Sequence, residues 1–180
     1  MTSSYRNLLM SAAVTAALLG ACAVTHYPTA PVELRPPSIE LLSFDAPASG
    51  VQVYECNEDA KAPSGFAWRF KGPEADLFDR SGRKVGHHYG GPTWEAPDGS
   101  KVVGEVVTQM PSPDATAIPH LLLRAKATSG NGMFTPVRSI QRLETVGGRA
   151  PADGCGKDTL AKVARVPYKA TYYFYAAPKY

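Results

Sequence analysis

The sequence predicts an all-β domain, an antiparallel β-barrel or β-sandwich of short strands with long Gly- and Pro-rich loops. Gly and Pro each occur 16 times in 180 residues, which is high for a helical protein and ordinary for a turn-rich β domain. Short apolar or alternating segments recur at a spacing of roughly ten residues, with turn signals between them. No sustained alternation of strand and helix patterns occurs, which argues against a doubly wound fold.

The first half of the domain contains most of the short strand patterns. Residues 39–44 predict a strand or a short helix, which the Ala-Pro-Ala-Ser-Gly run at 46–50 is expected to break. The period-two alternation that follows places Gln52, Tyr54 and Cys56 on one face of a strand. Further strands are predicted at 66–71, with Phe66, Trp68 and Phe70 facing inward, and, after a Gly72-Pro73 turn, at 75–78, 85–89 and 93–95.

The second half of the domain contains longer strand patterns. Residues 101–110 are rich in β-branched side chains, and Gly104 in their middle indicates a bulge or a bend. The aromatic segment 168–177 is expected to pair in the middle of the sheet. Its alternation places two sets of side chains on opposite faces, which are Tyr168, Ala170, Tyr172 and Phe174 on one face and Lys169, Thr171, Tyr173 and Tyr175 on the other. The remaining predictions are a hairpin of 118–128 and 133–143 with Pro136 at an edge or bulge, and a short helix at 158–166.

The N-terminus has the three parts of an export signal. Arg6 precedes the apolar run 8–19, and small residues follow before Cys22. Leu-Gly-Ala-Cys at 19–22 resembles the bacterial lipobox, in which the cysteine is lipidated after cleavage; the alternative is an ordinary secretory signal with an accidental cysteine. Residue 23 is Ala rather than Asp, which, by resemblance to enterobacterial sorting, suggests the periplasmic face of the outer membrane.

The chain is therefore divided into three parts. We predict a lipoprotein signal peptide at 1–21, a Pro-rich tether at 22–37 and a single β-rich domain at 38–180. The protein is expected to be exported and lipid-anchored to the cell envelope. Lys and Arg are scattered rather than clustered, so no nucleic-acid partner is predicted.

Two cysteines remain once Cys22 is assigned to lipid. In an oxidising compartment the even remainder favours a disulfide between Cys56 and Cys155. The alternative is a metal or redox pair, but no Cys-x-x-Cys motif occurs and no His lies near either cysteine in the sequence.

Three blocks of sequence together resemble a known family. They are G-V-Q-V-Y-E-C at 50–56, the pattern D-x-x-G-x-x-V-G-x-H-x-x-G-P-x-W with D-G-S-x-V-x-G within 77–104, and V-P-Y at 166–168 with the aromatic end. They resemble the exported bacterial and fungal proteins catalogued as domain of unknown function 3455, over most of residues 35–177. The resemblance implies a secreted β-rich domain and carries over no catalytic residues.

His87, His88 and Trp94 are the candidate ligand-binding residues. Neighbouring residues of a strand point to opposite faces, so one histidine can line a cavity while the other is exposed. The structural alternative is that the histidines are satisfied by hydrogen bonds beside the turn. Trp94 lies between two turn signals and is the better binding candidate of the two tryptophans, whereas Trp68 has the alternation of a core anchor; packing remains the alternative for Trp94.

Two function hypotheses follow. The leading one is a non-enzymatic envelope lipoprotein that binds a small ligand or an envelope protein partner, with no cofactor. The rival is a metal-dependent enzyme that uses His87 or His88 with Asp79, Asp98 or His120. The sequence contains no Gly-x-Ser-x-Gly elbow, phosphate loop or dinucleotide fingerprint, so catalytic residues stay unassigned.

Overall fold

The computed structural model describes residues 27–178, and these form one closed antiparallel β-barrel. The eight strands follow sequence order around the barrel, and the last pairs with the first. The predicted all-β class is thus confirmed. Signal peptide 1–21, Cys22 and the first part of the tether lie outside the described residues. The strands are β1 Leu41–Glu58, β2 Phe66–Phe78, β3 Lys84–Tyr89, β4 Thr93–Glu95, β5 Lys101–Met110, β6 His120–Ser129, β7 Val137–Gly147 and β8 Val163–Ala176.

The first two strands are longer than the sequence predicts. The run at 46–50 does not break β1, because pairing with β2 begins only at Ala48 and Pro47 therefore disturbs no hydrogen bond between those strands. Gly72-Pro73 is not a turn either. β2 continues through it with a register shift opposite Val53 and Tyr54, and Gly72 has a φ of 155° that favours glycine.

The later strands agree more closely with the sequence. β5 has a register shift between Val103 and Gly104, which confirms the predicted bulge. Pro136 lies just before β7 rather than inside it, so the hairpin loop is longer than predicted. The helix predicted at 158–166 does not form: Lys157–Thr159 is a three-residue 3-10 turn, and β8 already begins at Val163. β8 pairs with β7 on one side and β1 on the other, as its aromatic pattern predicts, and this pairing closes the barrel.

One end of the barrel, the closed end, is filled by aromatic side chains. Phe134 enters from the β6–β7 loop and lies against Phe44 and Phe174, with ring centroids 5.7 and 5.1 Å away. The loop is held by the β4–β5 turn, where Ser100 Oγ accepts the Phe134 N–H at 3.1 Å and Asp98 Oδ2 accepts the Met133 N–H at 2.9 Å. The interior at this end is therefore a packed core.

The opposite end, the open end, carries the disulfide. Cys56 near the end of β1 is bonded to Cys155 in the loop before β8, as predicted. Trp68 Nε1 donates to the Asp153 carbonyl of the same loop at 3.0 Å. Phe66, Trp68 and Phe70 were expected to face inward, but none belongs to the buried core, because this half of β2 forms the barrel rim.

A second apolar cluster covers the outside of β8 and its neighbours. Alternate side chains of β8, Tyr173 and Tyr175, point outward and are buried under the N-terminal segment 27–37, where Ala30 and Leu34 contribute apolar contacts. Gln141 Nε2 donates to the Leu34 carbonyl. This half of the predicted tether thus packs on the barrel rather than extending away from it.

None of the helices formed by the described residues is long and apolar enough to span a membrane.

Candidate functional site: a cavity inside the barrel

A cavity of about 390 Å³ occupies the open half of the barrel. All eight strands contribute side chains to its wall, so the cavity is the unfilled part of the barrel interior. Most of the wall is apolar, and Phe70 and Val106 at the rim are about half exposed. The lining includes Gln52, His88, Trp94, Leu121, Arg142 and Tyr172.

Trp94, His88 and Tyr172 form an aromatic cluster in the wall. The His88 imidazole stacks on the Trp94 indole with centroids 4.4 Å apart, and Tyr172 meets both rings edge-on at 4.8 and 5.3 Å. The indole fits because residue 104 is glycine: a Cβ there would lie 2.9 Å from the Trp94 ring. The predicted bulge glycine therefore makes room for the tryptophan that lines the cavity.

The buried His88 is neutral. Its Nδ1 lies 2.9 Å from the Thr93 carbonyl, to which it donates, so Nε2 is the acceptor nitrogen. Burial lowers the pKa of His88 to about 3; the hydrogen bond to Thr93 opposes this shift, and the charge of Arg142 adds to it. His88 therefore adds no positive charge to the cavity wall near neutral pH.

Three cavity residues have a buried polar atom without a hydrogen-bond partner. These atoms are Gln52 Nε2, Trp94 Nε1 and the Tyr172 hydroxyl, and the neighbouring Tyr168 hydroxyl is also unpartnered. The first two can only donate a hydrogen bond. Because an unpaired buried polar group costs about 1–3 kcal/mol, the wall favours an occupant that offers acceptors.

Arg142 brings a cation to the same wall. It lies opposite Leu121 of β6 and Tyr172 of β8, both of which point inward. Its Nε and Nη2 donate to the Pro119 carbonyl at 3.1 and 2.8 Å, which orients the guanidinium. Among the described residues no carboxylate lies within 4.0 Å of it, and no Asp or Glu lines the cavity.

The two adjacent histidines point to opposite sides of β3, as predicted. His88 is buried at the cavity, whereas His87 is exposed and its Nδ1 lies 3.1 Å from Asp76 Oδ1. His87 belongs to a depression on the outer surface with Glu74 and Glu95, which pair with arginine and lysine neighbours. Only His88 and Trp94 of the three candidate ligand residues therefore meet at the cavity.

The residues of the rival metal hypothesis are not brought together. Asp79 accepts hydrogen bonds from Ser81 and Arg83 within its own turn. Asp98 accepts hydrogen bonds from the backbone N–H groups of Ser100 and Met133. His120 begins β6, outside the cavity lining. Residues 27–178 contain no group of three or more His, Cys, Asp or Glu side chains placed to hold a metal ion. The proposed metal constellation was wrong in its geometry.

Sequence reasoning missed Gln52, Arg142 and Tyr172. Gln52 and Tyr172 were placed on strand faces correctly, but nothing in the alternation shows that those faces line a cavity. Arg142 carried no signal, because an arginine in a β-strand is usually a solvated residue. Its inward position follows from the register of β7 with β6 and β8.

A closed eight-stranded antiparallel sheet with a cavity at one end defines the class of protein: a β-barrel domain with an internal cavity. The sequence matches the family described as "Protein of unknown function (DUF3455)" over residues 37–176, so the chain belongs to that family, as its motifs indicated. No curated protein and no solved structure matches the chain. The Cys56–Cys155 disulfide indicates an exported, non-cytoplasmic protein.

Proposed function

We propose that this protein is a non-enzymatic binding module of the cell envelope, which holds one small, mainly apolar molecule inside its barrel. The observation that carries the proposal is the cavity of about 390 Å³, whose apolar wall includes unpartnered buried donors. Binding pockets for small molecules have this volume and this combination of apolar walls and few polar groups. A packed core would have filled the same space with side chains, as the closed end does.

We propose further that lipidation at Cys22 anchors the module to the membrane. The lipobox at 19–22 and the oxidised cysteine pair support an exported, anchored protein. Because residues 27–37 pack on the barrel, the anchor is connected to the domain by only the few residues that precede 27. We therefore propose that the barrel stays close to the membrane surface, on the periplasmic face of the outer membrane.

Titration with 1-aminoanthracene, a small neutral probe whose emission rises in apolar surroundings, tests the binding function. We expect one probe per chain, bound with a micromolar dissociation constant. Leu121→Trp places an indole in the cavity and should abolish binding. Val107→Trp is the matched control, because Val107 lies outside the cavity lining and is 56% exposed.

The two variants also show where the probe binds. Equal binding by Leu121→Trp and Val107→Trp would place the probe outside the barrel and contradict the proposal. Circular dichroism and thermal unfolding check that both variants are folded before the titrations are compared. Absence of binding by the folded wild-type protein, with probes of several sizes, would also contradict it.

A further inference from the structure

The charges around the cavity indicate what kind of molecule it holds. Two cationic side chains, Arg142 and Lys71, belong to the lining, and no carboxylate of the described residues does. Lys71 is at the rim and is paired with Glu55 at 3.5 Å. Arg142 lies deeper, on the inner face of β7, and has no carboxylate partner among residues 27–178.

The hydrogen bonds of Arg142 leave one edge of its guanidinium available. A guanidinium has five N–H donors, and the Pro119 carbonyl takes one from Nε and one from Nη2. The Pro119 carbonyl uses neither N–H group of Nη1 and not the second N–H of Nη2, and the Tyr172 hydroxyl lies near enough to the guanidinium to interact with it. These N–H groups form the planar edge that binds a carboxylate through two parallel hydrogen bonds.

The polar groups beside Arg142 suit an anion better than a cation. The indole N–H of Trp94 and the side-chain amide nitrogen of Gln52 are unpartnered donors, and His88 is held in the neutral form. A cation in this space would meet the charge of Arg142 without a counter-ion. An uncharged ligand would shield the half-buried guanidinium from water without giving it a counter-ion.

We infer that the barrel binds a monocarboxylate with an apolar body, its carboxylate on Arg142 and its apolar part against the wall near Leu121 and Trp94. This inference rests on the proposed binding function and specifies its ligand class. The guanidinium supplies the charge and the planar pair of donors, and the Pro119 carbonyl holds the guanidinium in place. The polar groups of Gln52, Trp94 and Tyr172 surround the head group.

Calorimetric titration of the wild-type domain with decanoate, decan-1-ol and decylammonium, each as monomers in solution, tests the charge preference. The three probes share one alkyl chain and differ in head group. We expect decanoate to bind at least ten-fold more tightly than decan-1-ol, and decylammonium to bind most weakly. Equal affinity for decanoate and decan-1-ol would overturn the inference.

Substitution of Arg142 then assigns the preference to a residue. Arg142→Met keeps the apolar stem and should remove the advantage of decanoate while leaving decan-1-ol within about three-fold. Lys71→Met is the matched control and should retain the advantage, because Lys71 lies at the rim. If folded Arg142→Met still prefers decanoate to decan-1-ol as strongly as the wild type does, the inference is overturned. If Arg142→Met does not fold, the affinities of the wild-type domain for the three probes decide the inference.

The two proposals fail in different ways. Binding of 1-aminoanthracene or decan-1-ol without any preference for decanoate would leave the binding function standing and reject the carboxylate. Failure of every probe, charged or neutral, to bind the folded wild-type domain would reject both.

Discussion

The imidazole of His88 stacks on the indole of Trp94, with centroids 4.4 Å apart and planes inclined by 10°. The pair connects β3 to β4 across the register His88–Trp94 and forms one side of the cavity. Both side chains are almost fully buried, so the histidine cannot take up a proton without placing a charge in the barrel interior. This relationship makes the stability of the barrel depend on pH.

His88 should make the domain less stable in acid. Its pKa is lowered from 6.5 to about 3 in the folded protein, so below pH 6.5 the unfolded chain binds a proton that the folded chain does not. The free energy of unfolding should therefore fall by about 1.4 kcal/mol for each pH unit between pH 6.5 and 3. Urea unfolding at several pH values measures this slope.

His88→Phe is the matched variant for that measurement. The phenyl ring keeps the aromatic contacts with Trp94 and Tyr172 but cannot titrate. Carboxylates contribute equally to both proteins, so the difference between the two pH profiles isolates the histidine. Parallel profiles for wild type and His88→Phe would contradict the predicted role of His88.

The disulfide should contribute strongly to stability, because Cys56 and Cys155 are 99 positions apart in the sequence. Closing a loop of this length restricts the unfolded chain, and in the chain-entropy model this amounts to about 4–5 kcal/mol. Cys56→Ala/Cys155→Ala should lose a stabilisation of this order in denaturant unfolding. Reductant should lower the unfolding free energy of the wild type by a similar amount and leave that of the double variant unchanged. If reductant lowers the unfolding free energy of both proteins equally, the disulfide is not the cause.

Gly104→Ala should destabilise the barrel and weaken binding in the cavity. The added Cβ would lie 2.9 Å from the Trp94 ring and 3.1 Å from Leu123, so the indole must move. Overpacking of this kind costs about 1–3 kcal/mol. Gly156→Ala is the control, because a Cβ there meets nothing within 4 Å and its φ of −166° suits any residue. Equal unfolding free energies for the two variants would show that the contact with Trp94 is unimportant.

Leu34→Ala should show that the segment before β1 is part of the folded domain. Leu34 is fully buried in the outer cluster with Tyr173 and Tyr175, and truncation of a buried leucine costs about 2–5 kcal/mol. Val32→Ala, at a side chain that is 69% exposed, should change the unfolding free energy by less than about 0.5 kcal/mol. A small effect at both positions would mean that residues 27–37 act as a free tether.

Cys22→Ser should abolish lipidation of the precursor. The cysteine thiol is the acceptor of the lipid in proteins whose lipobox this one resembles, and serine offers no thiol. Metabolic labelling with a tritiated fatty acid should be lost, and the protein should move from the membrane fraction to the periplasmic fraction. Thr25→Ser, which lies close to Cys22 but outside the 19–22 motif, serves as the control for a substitution in this segment. Membrane fractionation of Cys22→Ser like that of wild type would place the anchor elsewhere.

The strand patterns were informative where side chains alternate and misleading where the backbone bends without turning. β8 alternates along its aromatic part, and both faces of that part were predicted correctly, whereas its first residues, 163–166, were predicted as a helix. β1 and β2 were each divided in two, because Pro47 and Gly72-Pro73 carry turn signals that neighbouring strands override. Barrel closure requires the strands to bend strongly at certain points. Glycine and proline allow the backbone to bend at a β-bulge as they do at a turn, so the same residues can mark either structure.

The candidate site was only partly predictable for a different reason. His88 and Trp94 lie in short strand patterns bounded by turn signals, which made them candidates. Neighbouring side chains of a strand point to opposite faces, so His87 is exposed when His88 is buried. Arg142, however, lies 54 positions after His88, and no local signal distinguishes it from a surface arginine. It meets the cavity only because β7 pairs with β6 and β8 in one register.

By itself the sequence determined that the chain is β-rich and that it resembles its family; it also favoured a Cys56–Cys155 disulfide and predicts export and lipidation. These properties follow from composition, short motifs and period-two alternation, which are local. Only the tertiary structure decided that the strands close into a ring, that one end is filled by Phe134 while the other keeps a cavity, and that Arg142 faces it. Those features depend on pairing between strands that are distant in sequence, and the register of that pairing decides which side chains point inward.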